Sequence, residues 1–322
     1  MSRRMTGFEA LFSVTIDTIG LSVEVIVSKV IGQSILAVTF YVIAEFLSKS
    51  QLIPALSTSQ FLIVFNRFRG ILLQIMIRFA SINIEGDTNR ERIVAFLGDY
   101  KPDVVCFQEL METSVLFFEN ALSMKGHFLP MTKSHAIPRD IQSPIAAFGV
   151  GIFSSLPISK IHSDYYHGGV GNLPTIRFKK GAPEEATLWR GLLFATVTKG
   201  PESHTIVTTH FTRTKDGRVS GKQRKDLKNL LLITKKSPEL ILCGDFNAPR
   251  GGEIFGVLAQ RFKDNIPSEH LSSLDPELHR LRNSKPLMVD GLFSTPQYKV
   301  TEVKLSEGVS DHMAVTALIS KV

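Results

Sequence analysis

The stretch Leu240–Asn247, with the sequence LILCGDFN, decides the prediction of the fold. Four apolar residues of strand length lead into Gly244, and the polar residues Asp245 and Asn247 follow on either side of Phe246. This pattern predicts a buried strand that ends in a turn at the rim of a sheet, because glycine tolerates the backbone angles of a tight turn. If the backbone stays extended, the carboxylate and the carboxamide point the same way. Taken alone, the pattern also fits an ordinary strand followed by an Asx-rich turn.

The composition of the 322-residue chain is that of a globular protein with a basic surplus. An apolar fraction of 43% is sufficient for a sizeable buried core. The formal charge of +7 favours an anionic partner, such as nucleic acid, a phosphoester or a lipid headgroup, without choosing among them. Cys106 and Cys243 both lie in apolar strand-like runs. They indicate buried packing residues rather than a disulfide framework, and therefore a cytoplasmic location.

Residues 1–75 are a different kind of sequence, rich in Ile, Val, Leu, Phe and Ser and poor in charge. Two uncharged stretches, Val30–Ala44 and Ser50–Asn66, are both marginal for a transmembrane helix, which needs about 20 predominantly apolar residues. Three interpretations stay open: a membrane-associated leader, a poorly ordered extension, or upstream sequence included by a wrong start codon. The last two are favoured, because the residues from Met76, MIRFASINIEG, resemble the opening of a domain that begins on its first strand. Membrane association is the alternative location.

Residues 76–322 alternate strand-like and helix-like segments without an internal repeat or a linker. Apolar runs and alternating patterns predict strands, and apolar spacings of three and four residues predict helices. Strands are predicted at 75–84, 103–107, 148–153, 190–198, 204–209, 240–243, 288–293, 299–305 and 313–319, and helices at 90–99, 115–122, 220–234 and 253–262. A loop-rich insert is predicted at 264–287. Many strands and few helices predict a single α/β domain with two packed sheets and the helices outside them.

Polar residues repeatedly follow these strands. They are Asn83, Glu85, Glu109, His210, Asp245, Asn247, Asp290, Asp311 and His312. Carboxylates and carboxamides that converge at a rim form the oxygen-rich site that Mg²⁺ or Mn²⁺ accepts, and histidines beside them can donate to a phosphoryl oxygen or transfer a proton. With two cysteines and no clustered histidine spacing, the sequence predicts against a zinc site. It also contains neither the glycine-rich loop of nucleoside triphosphatases nor the nucleophile elbow of serine hydrolases.

Six short motifs resemble, in order, those of the endonuclease/exonuclease/phosphatase superfamily of divalent-metal phosphodiesterases. They are SINIEG at 81–86, FQE at 107–109, THF at 209–211, GDFN at 244–247, VDGLF at 289–293 and SDH at 310–312. The resemblance covers essentially all of Met76–Val322. It implies a four-layer α/β/β/α sandwich with two packed mixed β-sheets, preceded here by the apolar extension.

The resemblance also implies which residues bind the metal ion, Mg²⁺ or alternatively Mn²⁺. Glu109 is the expected principal ligand. Asn83 is expected beside it, holding metal or phosphate, and Glu85 is expected to reach the same ion through water. Asp311 is the expected ligand of a second or migrating ion.

Five further residues have catalytic roles by the same resemblance. Asp245 is expected to orient or deprotonate the attacking water, and Asn247 to donate to the phosphate. His312, oriented by Asp290, is expected to stabilise charge on the phosphoryl oxygens, and His210 to contact the phosphate. Together with a metal ion, such preorganised donors supply the electrostatic stabilisation that attack at phosphorus requires.

Most residues outside the motifs are predicted to have structural or surface roles. The remaining histidines are predicted to be surface or structural residues: His127, His135, His162, His167, His204, His270 and His279. Arg190 is interpreted as a packing residue rather than a residue of the site rim. The cationic cluster after His210 either leads a polyanion into the site or is a solvated helix face; it consists of Arg213, Lys215, Arg218, Lys222, Arg224 and Lys225.

The substrate is not decided by these motifs. The positive charge and the sequence NIEG at 83–86, similar to the NIDG of the 5′-tyrosyl-DNA phosphodiesterases, favour a monomeric nuclease or nucleic-acid-end phosphodiesterase. A phosphatase or phospholipase-C-like enzyme acting on inositol phosphates or sphingomyelin is the alternative, favoured if the apolar N-terminus contacts a membrane. A catalytically inactive binding module is a third hypothesis, disfavoured because the acid, amide and histidine positions are all present.

Overall fold

The computed structural model describes residues 9–16, 21–28, 76–137, 142–176, 178–179, 182–183, 188–214, 217–280 and 286–322. Two strands, β1 (Glu9–Ile16) and β2 (Leu21–Ser28), pair antiparallel in a unit separate from the one that contains residues 76–321. The interpretations of residues 1–75 otherwise concern residues outside those described. Within the described ranges, no helix combines the length and the apolar character needed to cross a membrane.

The described part of the domain from Met76 onward contains two six-stranded sheets and one short hairpin. In chain order the strands are β3 (Ile77–Asn83), β4 (Val104–Met111), β5 (Lys125–His135), β6 (Ile145–Ser154), β7 (Ile158–His167), β8 (Phe178–Lys179), β9 (Ala182–Pro183), β10 (Arg190–Lys199), β11 (Glu202–His210), β12 (Ile241–Asp245), β13 (Lys263–Asp264), β14 (Asp290–Ser294), β15 (Tyr298–Ser306) and β16 (Ala314–Lys321). The first sheet has the order β15-β16-β3-β4-β6-β5 and the second the order β13-β14-β12-β11-β10-β7, while β8 and β9 pair with each other. Both sheets are mixed, because β3–β4 and β11–β12 are parallel and the other pairs are antiparallel.

Four helices lie on the outer faces of these sheets. They are α1 (Arg90–Tyr100), α2 (Val115–Leu122), α3 (Gly221–Thr234) and α4 (Glu253–Arg261). The first two pack on the first sheet and the last two on the second. Helix α3 was predicted at 220–234 and begins one residue later, at Gly221, because Ser220 is its N-cap and its hydroxyl accepts a hydrogen bond from the backbone N–H of Gln223.

Strand β3 shows how alternation along the sequence produces the layers. Ile77 and Phe79 belong to the core cluster between the two sheets, whereas Ala80 and Ile82 belong to the cluster under α1 and α2. Successive residues of a strand face opposite sides of the sheet, so a strand buried on both faces is apolar throughout. The predicted four-layer α/β/β/α sandwich with two mixed sheets is therefore confirmed.

Three edge strands of the two six-stranded sheets were not predicted from the sequence: the two-residue strand β13 and the longer strands β5 and β7. Strand β5 contains Gly126 and Pro130, and its register shifts between Pro130 and Thr132; proline in a sheet is found at edges and bulges, because it has no N–H to donate. Strand β7 has the sequence ISKIHSDYYH and leaves most of its positions half-buried or exposed. Edge strands face water along one side and therefore lack the apolar signature on which the prediction depended.

Gly244 is required where β12 approaches β11. Its φ is +139°, and a Cβ atom placed there would lie 2.0 Å from the carbonyl oxygen of Thr209, its partner in the parallel pair. The replacement Gly244→Ala is expected to lower the free energy of unfolding by about 3 kcal/mol, because both the clash and the backbone angle oppose it. The urea midpoint of unfolding measures the change.

The matched control is Gly98→Ala in helix α1, where no atom lies within 4 Å of the added Cβ. Alanine is the better helix former, so this variant is expected to gain about 0.5–1 kcal/mol. Equal midpoints for the two variants would contradict the close approach of β11 and β12.

His204 is a buried structural histidine, as predicted. Its side chain is 0% exposed, and its ring lies 5.9 Å from that of Tyr298. Burial, reinforced by Lys321 and Lys199, lowers the pKa of His204 to about 4. A histidine whose pKa is lower in the folded state contributes full stability above its unfolded pKa of about 6.5, and that stability is lost as the pH falls towards 4.

The replacement His204→Gln is therefore expected to flatten the acid side of the stability curve. Wild-type protein should lose about 3 kcal/mol more than the variant between pH 7 and pH 4, because only the wild-type histidine must be protonated. Urea unfolding at both pH values measures the difference. Parallel losses in the two proteins would contradict the lowered pKa.

Candidate active site

The ends of the central strands bring the predicted residues to one rim of the sandwich. Asn83 ends β3, and His210 and Asp245 end β11 and β12, where they lie opposite each other in the parallel register. Asp290 begins the antiparallel strand β14 and is paired with Asp245. Since the carboxyl ends of neighbouring parallel strands share one edge, the side chains meet although they are far apart in the sequence.

The centre of the site is a contact network between the two sheets. Asn83 and Glu109 come from the first sheet, and His210 and Asp245 come from the second. The Nδ2 atom of Asn83 donates to Glu109 Oε1 at 3.3 Å and to Asp245 Oδ2 at 3.2 Å. His210 Nε2 lies 3.5 Å from Asp245 Oδ2 and 3.8 Å from Glu109 Oε1. Asn83 and His210 therefore bridge two carboxylates that belong to different sheets.

A buried polar contact beneath this network also links the sheets. Gln108 Nε2 donates to Ser81 Oγ at 3.2 Å in its own sheet and to Thr208 Oγ1 at 3.0 Å in the other. All three side chains are buried. The contact ties the residue before Glu109 to both sheets, because breaking a buried hydrogen bond of the Gln108 Nε2 atom would cost free energy.

His312 and Asp290 form a buried pair beside the network. His312 Nδ1 lies 2.7 Å from Asp290 Oδ2, and the two side chains are 8% and 6% exposed. The carboxylate fixes the orientation of the imidazole and leaves its Nε2 atom for another partner. This is the pairing that the resemblance implied for the two residues.

The GDFN turn fixes Asn247. Its backbone N–H donates to Asp245 Oδ1 at 2.8 Å, and its Nδ2 donates to the carbonyl oxygen of Phe211 at 3.2 Å. The first bond is an Asx-type turn, which explains why the polar residues are two positions apart. One of the two Nδ2 hydrogens is used in the second bond, and the other remains for a ligand.

Three site residues other than glycine have positive φ angles. They are Glu85 at +51°, Glu109 at +59° and Asn247 at +48°. Glu109 also lies at a register shift between β4 and β6, and such a bulge re-aims the side chain of a strand residue. The left-handed backbone conformation costs free energy for a residue with a Cβ atom. Residues in this conformation are therefore found preferentially at functional sites.

Glu85 and Asp311 lie at the periphery of the network. The Nδ2 atom of Asn89 donates to Glu85 Oε2 at 3.5 Å and to Ser310 Oγ at 3.4 Å, and Ser310 Oγ donates to Asp311 Oδ1 at 3.4 Å. Asn89 was not singled out in the sequence, because it belongs to none of the motifs. It connects the first predicted motif with the last.

The two central carboxylates hold their protons more tightly than usual. Burial, together with the charges of Asp311 and Asp245, raises the pKa of Glu109 to about 7. Burial and the charge of Asp290 raise the pKa of Asp245 to about 6, although His312 opposes the shift. These carboxylates repel one another in a place with little water, so a cation among them would be stabilised.

The two histidines of the site have opposite charge preferences. Burial, with the charges of Arg190, His312 and Arg213, lowers the pKa of His210 well below its usual value. Burial would also lower the pKa of His312, but Asp290, Asp245 and Asp311 outweigh it and raise that pKa well above its usual value. At neutral pH, His210 is therefore a neutral imidazole and His312 a cation.

The insert at 264–287 contributes a residue that sequence reasoning missed. His279 was interpreted as surface or structural, yet it is 7% exposed and its ring lies 5.6 Å from that of His312. Atoms of His279, Asp311 and His312 that can ligate a metal ion all lie within 4.8 Å of one another. No motif spacing could reveal this group, because the insert brings His279 to the rim by tertiary folding.

Arg190 and the cationic cluster differ in their relation to the site. Arg190 is 4% exposed, and its Nη1 donates to the carbonyl oxygen of His210 at 3.1 Å, consistent with a packing residue. In the cluster, Lys222 pairs with Asp226 at 2.9 Å and Arg224 pairs with Glu253 at 2.6 Å. Lys215 lies outside the described residues. These pairs reduce the net positive charge of the α3 face.

Comparisons with known proteins agree with this architecture. The sequence model of the endonuclease/exonuclease/phosphatase family matches residues 80–312. Among solved structures, the human Nocturnin catalytic domain with bound sulfate anion is 17% identical, with 77% of this chain and 94% of that chain covered and a TM-score of 0.54. A humanized D. rerio TDP2 is 19% identical, with 76% and 99% covered and a TM-score of 0.53. A mannosyl-6-phosphatase from Bacteroides thetaiotaomicron is 13% identical, with 76% and 99% covered and a TM-score of 0.51.

A comparison with curated protein sequences finds no match. At the identities above, the solved structures show a shared fold. The family match covers most of the chain and extends from the strand that carries Asn83 to His312. The chain therefore belongs to the endonuclease/exonuclease/phosphatase family, whose members are phosphoester hydrolases.

Proposed function

We propose that this protein is a Mg²⁺-dependent phosphodiesterase that hydrolyses nucleic acid or nucleic-acid ends by attack of water. The observation that carries the proposal is the network of Asn83, Glu109, His210 and Asp245, in which each contact is 3.8 Å or shorter. The His312–Asp290 pair beside it adds a cationic donor. Oxygen ligands for a hard cation and a cation for the phosphoryl oxygens are what the reaction needs.

The donor set fits a divalent cation. Family members generally depend on a divalent metal ion. Glu109 and Asn83 would hold Mg²⁺, with Glu85 reaching it through water and Asp311 as the ligand of a second or migrating ion. Burial and the nearby charges of Asp311 and Asp245 raise the pKa of Glu109, and the same lack of water and excess of negative charge favour a cation there. When bound, the ion polarises the phosphoryl oxygen and lowers the pKa of water.

The protein groups orient the nucleophile and the phosphate. Asp245 Oδ2, already held by Asn83 at 3.2 Å, accepts a hydrogen bond from the attacking water and takes its proton. Asn247 donates its second Nδ2 hydrogen to the phosphate, and the neutral His210 donates to a phosphate oxygen. His312, cationic and oriented by Asp290, stabilises the charge that develops on the phosphoryl oxygens.

The proposal of nucleic acid as the substrate, rather than another phosphoester, rests on charge. The whole chain carries +7, and the charge of Arg213 adds to burial in lowering the pKa of His210, which indicates that a cationic side chain is near the site. A phosphatase or phospholipase-C-like activity on inositol phosphates or sphingomyelin is the alternative. It is favoured by the pairing of Lys222 and Arg224, which weakens a track for a polyanion. The mannosyl-6-phosphatase shows that a small phosphate ester can be the substrate of this fold.

The experiment is a substrate panel with the full-length protein and Mg²⁺. Single- and double-stranded DNA, RNA, a 5′-blocked DNA end, sphingomyelin vesicles and inositol phosphates are compared at equal enzyme concentration. Nucleic-acid turnover supports the first proposal, whereas turnover of lipid or inositol phosphate alone supports the alternative. Absence of turnover with any phosphoester, with Mg²⁺ or Mn²⁺, contradicts both.

Replacing Glu109 by Gln tests the metal assignment separately. The variant keeps the shape of the side chain but removes its charge, so the Mg²⁺ concentration for half-maximal activity is expected to rise more than about tenfold. Magnesium titration of the initial rate measures the change. Glu112→Gln, on an exposed turn after β4, is the matched control and should titrate like the wild type. An unchanged magnesium requirement in Glu109→Gln would contradict its role as a ligand.

A further inference from the structure

His279, Asp311 and His312 form a compact group at the edge of the proposed site. Their potential ligand atoms all lie within 4.8 Å of one another, and the residues are 7%, 9% and 7% exposed. The two imidazole rings meet edge to face at 86°, with centroids 5.6 Å apart. Two imidazoles and one carboxylate are a different donor set from the carboxylates and carboxamide around Asn83.

The backbone holds this group firmly. Asp275 N donates to the carbonyl oxygen of Asp311 at 2.9 Å, and His279 N donates to the carbonyl oxygen of Asp275 at 3.2 Å. Asp275 Oδ2 accepts from Gly308 N at 2.7 Å, and Leu274 forms a β-bridge with His312. The insert is therefore joined to the segment that carries Asp311 and His312, and His279 is fixed opposite them.

The chemistry of the group favours a borderline transition-metal ion. Nitrogen ligands select Zn²⁺ and similar ions, whereas Mg²⁺ takes oxygen ligands. His312 Nδ1 is engaged with Asp290 at 2.7 Å, so a metal ion would bind at Nε2 and displace the proton that this nitrogen carries in the cationic imidazole, which gives the carboxylate–histidine–metal arrangement. Zinc ligand distances of about 2.0–2.1 Å place tetrahedral ligands about 3.4 Å apart. Because the ligand atoms of the group lie within 4.8 Å of one another, no pair has to approach by more than about 1.4 Å to reach this spacing.

We propose that His279, Asp311 and His312 bind Zn²⁺ or a similar transition-metal ion, and that this ion inhibits hydrolysis. This group shares Asp311 with the position proposed for a second or migrating Mg²⁺ ion, but it does not include Asn83 or Glu109, which would hold the principal Mg²⁺ ion. Inhibition follows because an ion on Nε2 of His312 removes the donor intended for the phosphoryl oxygens. The inhibitory consequence rests on the proposed function, whereas the binding does not.

Zinc binding is tested by calorimetry with the full-length protein in millimolar Mg²⁺, which keeps the oxygen-rich site occupied. Wild-type protein is expected to bind one Zn²⁺ tightly, and His279→Gln to bind it more than about 100-fold more weakly. His270→Gln, a replacement in the same insert outside the group, is the matched control and should bind like the wild type. Equal affinities of wild type and His279→Gln, or no zinc binding by the wild type, would overturn the proposal.

A second measurement needs no variant and remains valid if His279→Gln does not fold. Crystals of the wild type soaked with Zn²⁺ should show an anomalous difference peak within ligand distance of all three side chains. A zinc peak only at Asn83 and Glu109 would place the ion elsewhere and overturn the assignment.

Inhibition is measured as the Zn²⁺ concentration that halves the rate of each protein, relative to its own rate without zinc. Wild type and His270→Gln should be inhibited alike, and His279→Gln should require more than about tenfold more zinc. Zinc binding at the group without inhibition would overturn the inhibitory part. If no phosphoester is hydrolysed at all, the proposed function fails, and calorimetry still decides the metal site.

Discussion

Replacing Asp245 by Asn is expected to lower kcat/KM for the best substrate by roughly 10³-fold, within the range for loss of a general base. The substitution preserves the size of the side chain and its hydrogen bond from Asn247 N, at 2.8 Å in the wild type. It removes the negative oxygen that Asn83 and His210 contact at 3.2 and 3.5 Å. Water then has no strong acceptor at this point of the site. Initial rates over a range of substrate concentrations give kcat and KM separately.

Asp99→Asn is the control for this experiment. Asp99 is an exposed residue of helix α1, and its replacement by Asn changes the charge of the protein by the same amount. Its kcat/KM should equal that of the wild type. The urea midpoint of Asp245→Asn shows whether the variant is folded. A folded Asp245→Asn enzyme with activity within tenfold of the wild type would contradict the role assigned to this carboxylate.

Replacing His312 by Gln is expected to lower kcat by roughly 10²–10³-fold, the usual loss for one donor to a developing oxyanion. Gln can donate a hydrogen bond but carries no charge, whereas the carboxylates around His312 raise its pKa and keep it cationic. The loss should appear mainly in kcat, because the charge on the phosphoryl oxygens increases in the transition state. Single-turnover rates separate the chemical step from product release.

Asp290→Asn is the companion to this variant, because the main role proposed for Asp290 is to orient His312, at 2.7 Å, and its charge acts on Asp245 only as a secondary cause of a raised pKa. Asp290→Asn should lower kcat less than His312→Gln does. Combining both changes should cost no more than His312→Gln alone, since residues that act as a unit are not additive. Additive losses would show that Asp290 has an independent role, and the positioning role would then be wrong.

The sequence predicted the strands and helices that have a clear apolar pattern. The prediction failed for edge strands, which are exposed along one side. Helix α2 begins and ends at Val115 and Leu122 as predicted, and β10 and β11 cover the strands predicted at 190–198 and 204–209. Strands β5 and β7 were missed, because an edge strand with glycine, proline or many polar residues shows neither an apolar run nor a clear alternation. The interpretations of residues 1–75 outside β1 and β2 stay predictions.

The site divides in a similar way. Residues at the ends of buried strands, such as Asn83 and Asp245, were found because strand ends can be located in the sequence. His279 was missed, because an irregular insert has no periodicity that shows which residue folds back. The cationic cluster was read from charge alone, and the sequence could not show that Lys222 and Arg224 have acidic partners. The number of charged residues can be read from the sequence, whereas the formation of ion pairs depends on tertiary contacts.

Because each sheet supplies only half of the central network, the alignment of one sheet on the other sets the distance between Glu109 and Asp245. The packing between the two sheets therefore fixes the distances between the catalytic side chains. A bulky replacement at Cys106 or Cys243, buried side by side in the layer between the sheets, would slide one half against the other. Such a protein would lose turnover while every catalytic side chain was intact, and inactivity reports misalignment where the urea midpoint shows that the variant is folded.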